Sequence, residues 1–191
     1  MTTENYPQGQ ARPGSIEVVC GSMFSGKTEE LIRRVKRAQI ARQKICIFKP
    51  TIDIRYSRED VVSHNQISIP AFPVEHSRLI RHMGMDYDVI AIDEAQFFDD
   101  GIIDVCNELA NKGKRVIIAG LDMDYLGHPF GPMPNLLAIA DEVYKTRAIC
   151  MNCGGLATFS YRLANNDQQV MLGEKQEYMP LCRSCYLKMQ K

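Results

Sequence analysis

With 191 residues, 23 basic side chains balanced by 23 acidic ones and 45% hydrophobic residues, the chain is sized for one ordinary domain plus a small appendage with a real core. That balance excludes a disordered or strongly basic protein and argues against long nucleic acid as the main partner. The longest apolar stretches reach about six residues, as at 116–121, against the roughly 20 that span a bilayer, so no membrane partner is expected.

Taken in chain order, residues 1–13 are polar and carry no apolar run, which predicts a disordered tail over 1–14 and no export signal. A short β-branched run over 15–20 predicts a buried first strand. It leads into Gly21, Ser22, Met23, Phe24, Ser25, Gly26, Lys27 and Thr28, the pattern G-x-x-x-x-G-K-T, and then into a helical stretch over 29–41. Strand, loop and helix in that order are what a phosphate-binding loop requires. Gly21 and Gly26 let the backbone curl so that successive amides face a polyphosphate, and the helix start adds its unpaired N–H groups and dipole. Lys27 can reach the β- and γ-phosphates of ATP, and the Thr28 hydroxyl can ligate Mg2+. Along the helix, Leu31, Ile32, Val35 and Ala38 recur at helical spacing, while Arg33, Arg34, Lys36 and Arg37 read as its solvated face.

Residues 44–49 predict a second strand and 50–73 a loop or short hairpin. Asp53 and Arg55 stand just past a strand end, where open α/β sheets place their ligands; an exposed ion pair is the alternative. Residues 87–92 predict a buried strand ending in Asp93 and Glu94. An aspartate at such a strand end, downstream of a phosphate loop, holds Mg2+, and an ionised Glu94 beside it could accept a proton from an attacking hydroxyl. Capping of the next helix is the other reading of this pair. A helix over 101–112 stopped by Gly113, a fourth strand over 115–121, a Gly- and Pro-rich loop over 122–134 and a last helix over 135–144 follow. Tyr125 and Phe130 in that loop could stack on a base or pack under the loop. The alternation specifies an α/β fold, a P-loop (RecA-like), mainly parallel sheet with helices on both faces, over 15–147.

Seven cysteines, an odd number without an export signal, fit a reducing, cytoplasmic setting rather than disulfides. Cys20, Cys46 and Cys106 lie in apolar segments and read as small buried side chains. Cys150 with Cys153 and Cys182 with Cys185 form two C-x-x-C pairs, which supply the four thiolates of a closed, structural Zn2+ site. A redox-active pair is the competing idea, disfavoured by the paired spacing. The segment 154–181 exceeds the roughly 15 to 20 residues of a minimal ribbon, so zinc would tie together the ends of a lasso loop in a small zinc-ribbon domain over 148–191. Such a tethered loop is a candidate lid. His64, His76, His82 and His128 need no role.

The ordered set GSMFSGKT at 21–28, DIRYS at 53–57, IDEAQFF at 92–98, Leu121 and Asp122 with PFG at 129–131, and the two cysteine pairs resembles the cytosolic, zinc-containing thymidine kinase family over residues 15–186. The resemblance implies transfer of the γ-phosphate of ATP to the 5′-hydroxyl of thymidine, a salvage step for DNA synthesis. Glu94 would be the general base, with Arg55 and Asp53 near the reacting phosphate. The phosphate loop, Asp53, Asp93, Glu94, Ala95 and Gln96 would organise ATP and Mg2+. Met23, Phe97, Leu121, Tyr125 and Phe130 would enclose thymine under a lasso contributing Ser160, Tyr178 and backbone groups at Val170, Met171, Leu172 and Gly173. A homotetramer and inhibition by thymidine triphosphate are further implications. Two rivals use the same motifs: a nucleic-acid-dependent ATPase, and a nucleotide-gated module whose zinc finger binds a protein. A single P-loop domain that is not basic disfavours the first, and the acidic pair with a lid-length loop disfavours the second.

Overall fold

The computed structural model describes residues 13–51, 60–62, 68–163 and 177–190. Tail residues 1–12, Asp53, Arg55, His64 and residues 170–173 lie outside the described residues. The chain opens with β1 (Ser15–Cys20), α1 (Lys27–Ile40) and β2 (Ile45–Pro50). β3 (Asp60–Val62) and β4 (Ser68–Pro70) pair antiparallel, as the short-hairpin option allows. Then come β5 (Phe72–Val74), α2 (Ser77–Gly84), β6 (Val89–Ile92), α3 (Gly101–Asn111), β7 (Arg115–Gly120), α4 (Met133–Ile139) and β8 (Glu142–Lys145). The six-stranded sheet has the order β5-β2-β6-β7-β1-β8 and is parallel at every pairing.

Successive strand residues point to opposite faces, and the sequence sorts its apolar side chains accordingly. On one face Val19, Ile47, Ala91, Ile117 and Ala119 pack against Leu31, Ile32, Val35 and Ala38 of α1. On the other, Ile16, Val18, Phe48, Ile90, Ile92, Val116 and Ile118 meet Ile80 of α2, Ile102, Val105 and Leu109 of α3, and Met133 and Leu136 of α4. Helices therefore cover both faces, as the alternation predicts. The resulting order puts β1 and β6 on either side of β7, with both of their C-terminal ends opening on one edge of the sheet. Cys46 and Cys106 are buried on this second face, and burial pushes both thiols up to about 12.

Three expectations are corrected. The last helix ends at Ile139 rather than running to residue 144. Asp141 is the reason: its carboxylate accepts the Ile16 N–H at 2.8 Å while its own N–H donates to the Ile16 carbonyl at 2.9 Å, drawing 142–145 alongside β1 as an edge strand. Arg34 is not on a solvated face. It is 7% exposed and donates to Glu17 at 2.5 Å, Glu30 at 2.8 Å and Glu142 at 2.8 Å, tying α1 to β1 and β8. Strand β5 begins inside the stretch read as loop over 50–73 and pairs with β2 as the far edge of the sheet, with α2 following it.

The C-terminal part is built differently. β9 (Ala148–Ile149) pairs with β10 (Leu156–Ala157), β11 (Phe159–Arg162) pairs with β12 (Tyr178–Leu181), and α5 (Arg183–Met189) ends the chain. The stretch 154–181 is thus not loop throughout: antiparallel β11 and β12 narrow its base. A separate apolar cluster of Ala148, Cys150, Ala157, Phe159, Leu181, Cys185 and Tyr186 holds this part, with Phe159 and Tyr186 stacked at 4.4 Å.

Candidate active site

β1 ends at Cys20 and the chain turns into the glycine-rich loop. Gly26 sits at the helix N-cap with φ 85°, left-handed backbone that glycine takes without strain, and its carbonyl accepts the Glu30 N–H at 3.0 Å. Gly21 is required by a close approach, since an added Cβ would lie 2.4 Å from the Thr146 carbonyl. Thr146, just past β8, braces the loop from that side. Its N–H and its hydroxyl each donate to the Cys20 carbonyl at 2.8 Å, and its hydroxyl lies 2.7 Å from Ser25 Oγ. Ser25 Oγ and Lys27 Nζ also donate to the Ser22 carbonyl, at 2.7 and 3.0 Å, which closes the loop on itself.

The end of β6 brings the second half of the site. Asp93 is 7% exposed, and its Oδ2 accepts the Thr28 hydroxyl at 3.3 Å, so residues 65 positions apart meet where the motifs require. Asp93 Oδ1 accepts the N–H of Glu94 at 3.0 Å. Glu94 lies in left-handed backbone, φ 50° and ψ 43°, ahead of a 3-10 turn over Ala95–Phe97 that neither carboxylate caps. Helix capping is therefore not what this pair does. Glu94 Oε2 instead accepts Gln96 Nε2 at 2.5 Å, and Gln96 Oε1 accepts the Leu121 N–H at 2.9 Å.

Seven of the residues expected around a nucleoside are described, and six of them fall into three neighbouring pairs. The Met23 N–H donates to Ser160 Oγ at 2.9 Å, joining the phosphate loop to β11. Phe97 and Phe130 meet edge to face at 5.6 Å, so Phe130 packs against a ring as well as closing the loop. Leu121 lies at the end of β7 beside Gln96. Tyr125 and Tyr178 are joined by a residue absent from the expected set, Arg162. Its guanidinium lies 3.6 Å from the Tyr125 ring centroid and donates to the Tyr178 hydroxyl at 3.0 and 3.2 Å. The alternation of β11 places Arg162 inward with Ser160, a signal that was available only once the strand itself was known. Thr146 carried no motif at all.

The four paired cysteines converge. Their sulfurs all lie within 4.8 Å of one another, and Cys153 and Cys182 are 3.7 Å apart. Ligand bonds of about 2.3 Å at tetrahedral angles put sulfurs about 3.8 Å apart, so this cluster fits Zn2+. Backbone N–H groups of Cys182, Asn152 and Cys153 aim at Cys150 and lower its thiol to about 6, favouring the thiolate a metal needs. Four converging sulfurs, with Asn152 Nδ2 donating to Cys185 Sγ at 3.2 Å, argue for a closed metal site over a redox pair.

A glycine-rich loop feeding a helix, with an acidic pair at the end of a parallel strand across β7 from it, is the arrangement of a P-loop nucleoside-triphosphate-binding protein, and four cysteine sulfurs converge in the C-terminal part as a metal site requires. A family model described as thymidine kinase matches residues 14–186. A thymidine kinase of Bacteroides thetaiotaomicron is 64% identical over 188 residues, covering 98% of this chain and 94% of the relative. One of Porphyromonas gingivalis is 60% identical over 185 residues, with 97% and 91% covered, and one of a Rhodothermus species is 54% identical over 173 residues, with 91% and 81% covered. The chain belongs to the thymidine kinase family. Among the described residues, no helix is long and apolar enough to cross a membrane.

Proposed function

We propose that this chain transfers the γ-phosphate of ATP to the 5′-hydroxyl of thymidine, giving thymidine monophosphate and ADP. Membership of the family supports the reaction, and the observation that carries the mechanism is the meeting of Thr28, Asp93 and Glu94 beside the N-terminus of α1. Loop amides and Lys27 hold the phosphates, and Thr28 with Asp93 would hold Mg2+. That ion, when bound, neutralises charge on the β- and γ-phosphates. Glu94 takes the proton of the 5′-hydroxyl as its oxygen bonds to the γ-phosphorus, and the bond to the bridging oxygen of ADP breaks.

The side chains from two bodies of structure enclose the base: Met23, Phe97, Leu121, Tyr125 and Phe130 from residues 15–147, Ser160 and Tyr178 from residues 148–191. We assign Asp53 and Arg55 to the reacting phosphate and backbone groups at 170–173 to the base edge by family likeness. Zn2+ on Cys150, Cys153, Cys182 and Cys185 keeps the second body folded without touching the chemistry. A homotetramer, inhibition by thymidine triphosphate and a cytoplasmic setting belong to the same reading, checked by light scattering and by titrating the triphosphate into the assay.

The decisive assay measures γ-phosphate transfer to thymidine beside deoxycytidine, deoxyguanosine and a no-nucleoside control. Transfer confined to thymidine or its uracil analogue is expected; ATP hydrolysis independent of nucleoside would overturn the reading. Glu94→Gln should keep ATP binding and lose about 10²-fold or more in kcat, the usual effect of removing a general base. Near-normal turnover would dismiss Glu94 as the base.

A further inference from the structure

We infer that Gln96 is a positioning residue: its side chain sets the place of the Glu94 carboxylate by fastening it to the end of β7. This rests on Glu94 acting as the base. Gln96 is 3% exposed, and both ends of its amide are engaged. The Leu121 N–H at 2.9 Å can only donate, so it takes the amide oxygen, and the amide NH2 is turned toward Glu94 Oε2 at 2.5 Å. The orientation follows from the partners. The carboxylate belongs to a left-handed residue, and a strut from a neighbouring strand end narrows the rotamers open to it.

The surroundings of Gln96 are shaped for it. An added Cβ at Gly131 would lie 2.3 Å from the Gln96 carbonyl oxygen, and one at Gly120 would lie 3.0 Å from Oε1 and 2.7 Å from Met133 Sδ. Gly120 thus leaves room for the glutamine side chain, and Gly131 for the backbone that carries it. Leu121, at the other end of the strut, is assigned to the nucleoside wall. Gln96 therefore sets the distance between that wall and the base through one side chain, which is what transfer to a bound hydroxyl, rather than to water, demands.

A double-mutant cycle tests this. Gln96→Met keeps length and removes both hydrogen bonds; it should lower kcat about tenfold, as loss of one charge-assisted hydrogen bond does. In the Glu94→Gln background the same change should have no further effect on kcat, because its effect passes through the carboxylate. Gln96→Glu retains an acceptor for Leu121 while placing a second carboxylate against Glu94, so it should also lower kcat, and it serves the cycle should the Met variant melt early. Equal losses in both backgrounds, or a loss wholly in KM, would overturn the positioning role. Failure of Glu94 as the base is a separate result, seen in the Glu94→Gln single variant with Gln96 intact.

Discussion

In the sheet, strands of four to six residues from β1, β2, β6 and β7 are buried under helices on both faces, whereas the wall facing the phosphate loop hangs on strands of two to four residues and four cysteines. The two regions draw on different sources of stability. Packing holds the first, through apolar surface removed from water on two faces. The second has a smaller apolar cluster and four converging cysteines, which the proposed zinc would crosslink. The comparison teaches that the phosphate half and the nucleoside half should fail under different insults.

The largest separation is expected from Cys153→Ser, which removes one of four ligands. It should abolish zinc uptake and thymidine phosphorylation while ATP binding and the far-UV signature of the parallel sheet persist. Metal analysis, a nucleotide-binding titration and circular dichroism check it, and retained zinc would refute the four-cysteine site. Arg34→Ala probes the other half. It takes one partner from Glu17 and Glu30, which keep Arg115 and Arg33, and releases the exposed Glu142, and should destabilise the sheet by about 1.5–3 kcal/mol in urea unfolding, the order of losing hydrogen bonds to a charged group, with zinc content unchanged.

Acid should act on the same network. Burial pushes the Glu17 carboxyl up, yet Arg115 and Arg34 overcome it and hold it below 4.5; Arg33 likewise lowers Glu30, against the effect of burial, with Arg34 adding to it. A carboxyl with a lowered folded pKa contributes stability that is complete above about 4.5 and is lost as pH falls through the folded value. Urea midpoints taken from pH 7 downward should therefore drop below about pH 4.5, and less steeply for Glu17→Gln. The smallest effect belongs to Arg33→Ala. Its side chain is 55% exposed beside Glu30, and its removal should shift stability by no more than about 1 kcal/mol. A loss near that of Arg34→Ala would erase the distinction between buried and exposed arginines drawn here.

Much of the site was legible because its chemistry lies in contiguous residues. The phosphate loop from Gly21 to Thr28, the strand running into Asp93 and Glu94, and two C-x-x-C pairs each carry their function within a few positions, so residue type and spacing suffice. Arg34, Thr146 and Arg162 were not legible. Arg34 looks like its exposed neighbour Arg33 until Glu142, 108 positions away, is brought beside it, and Thr146 acquires its brace only when β8 runs next to β1. The helix expected over 135–144 failed for a related reason, since the pairing of Asp141 with Ile16 outweighs local helical spacing.

The amino-acid sequence by itself determined the class of fold and the places of the phosphate loop, the acidic pair and the two cysteine pairs, because periodicity and motif spacing are properties of short stretches of chain. Only the tertiary structure decided which side chains meet across the sheet. The Thr28 to Asp93 contact, the Met23 to Ser160 link and the Gln96 strut join residues 65, 137 and 25 positions apart. Their partners are chosen by strand order and burial, which no local pattern encodes.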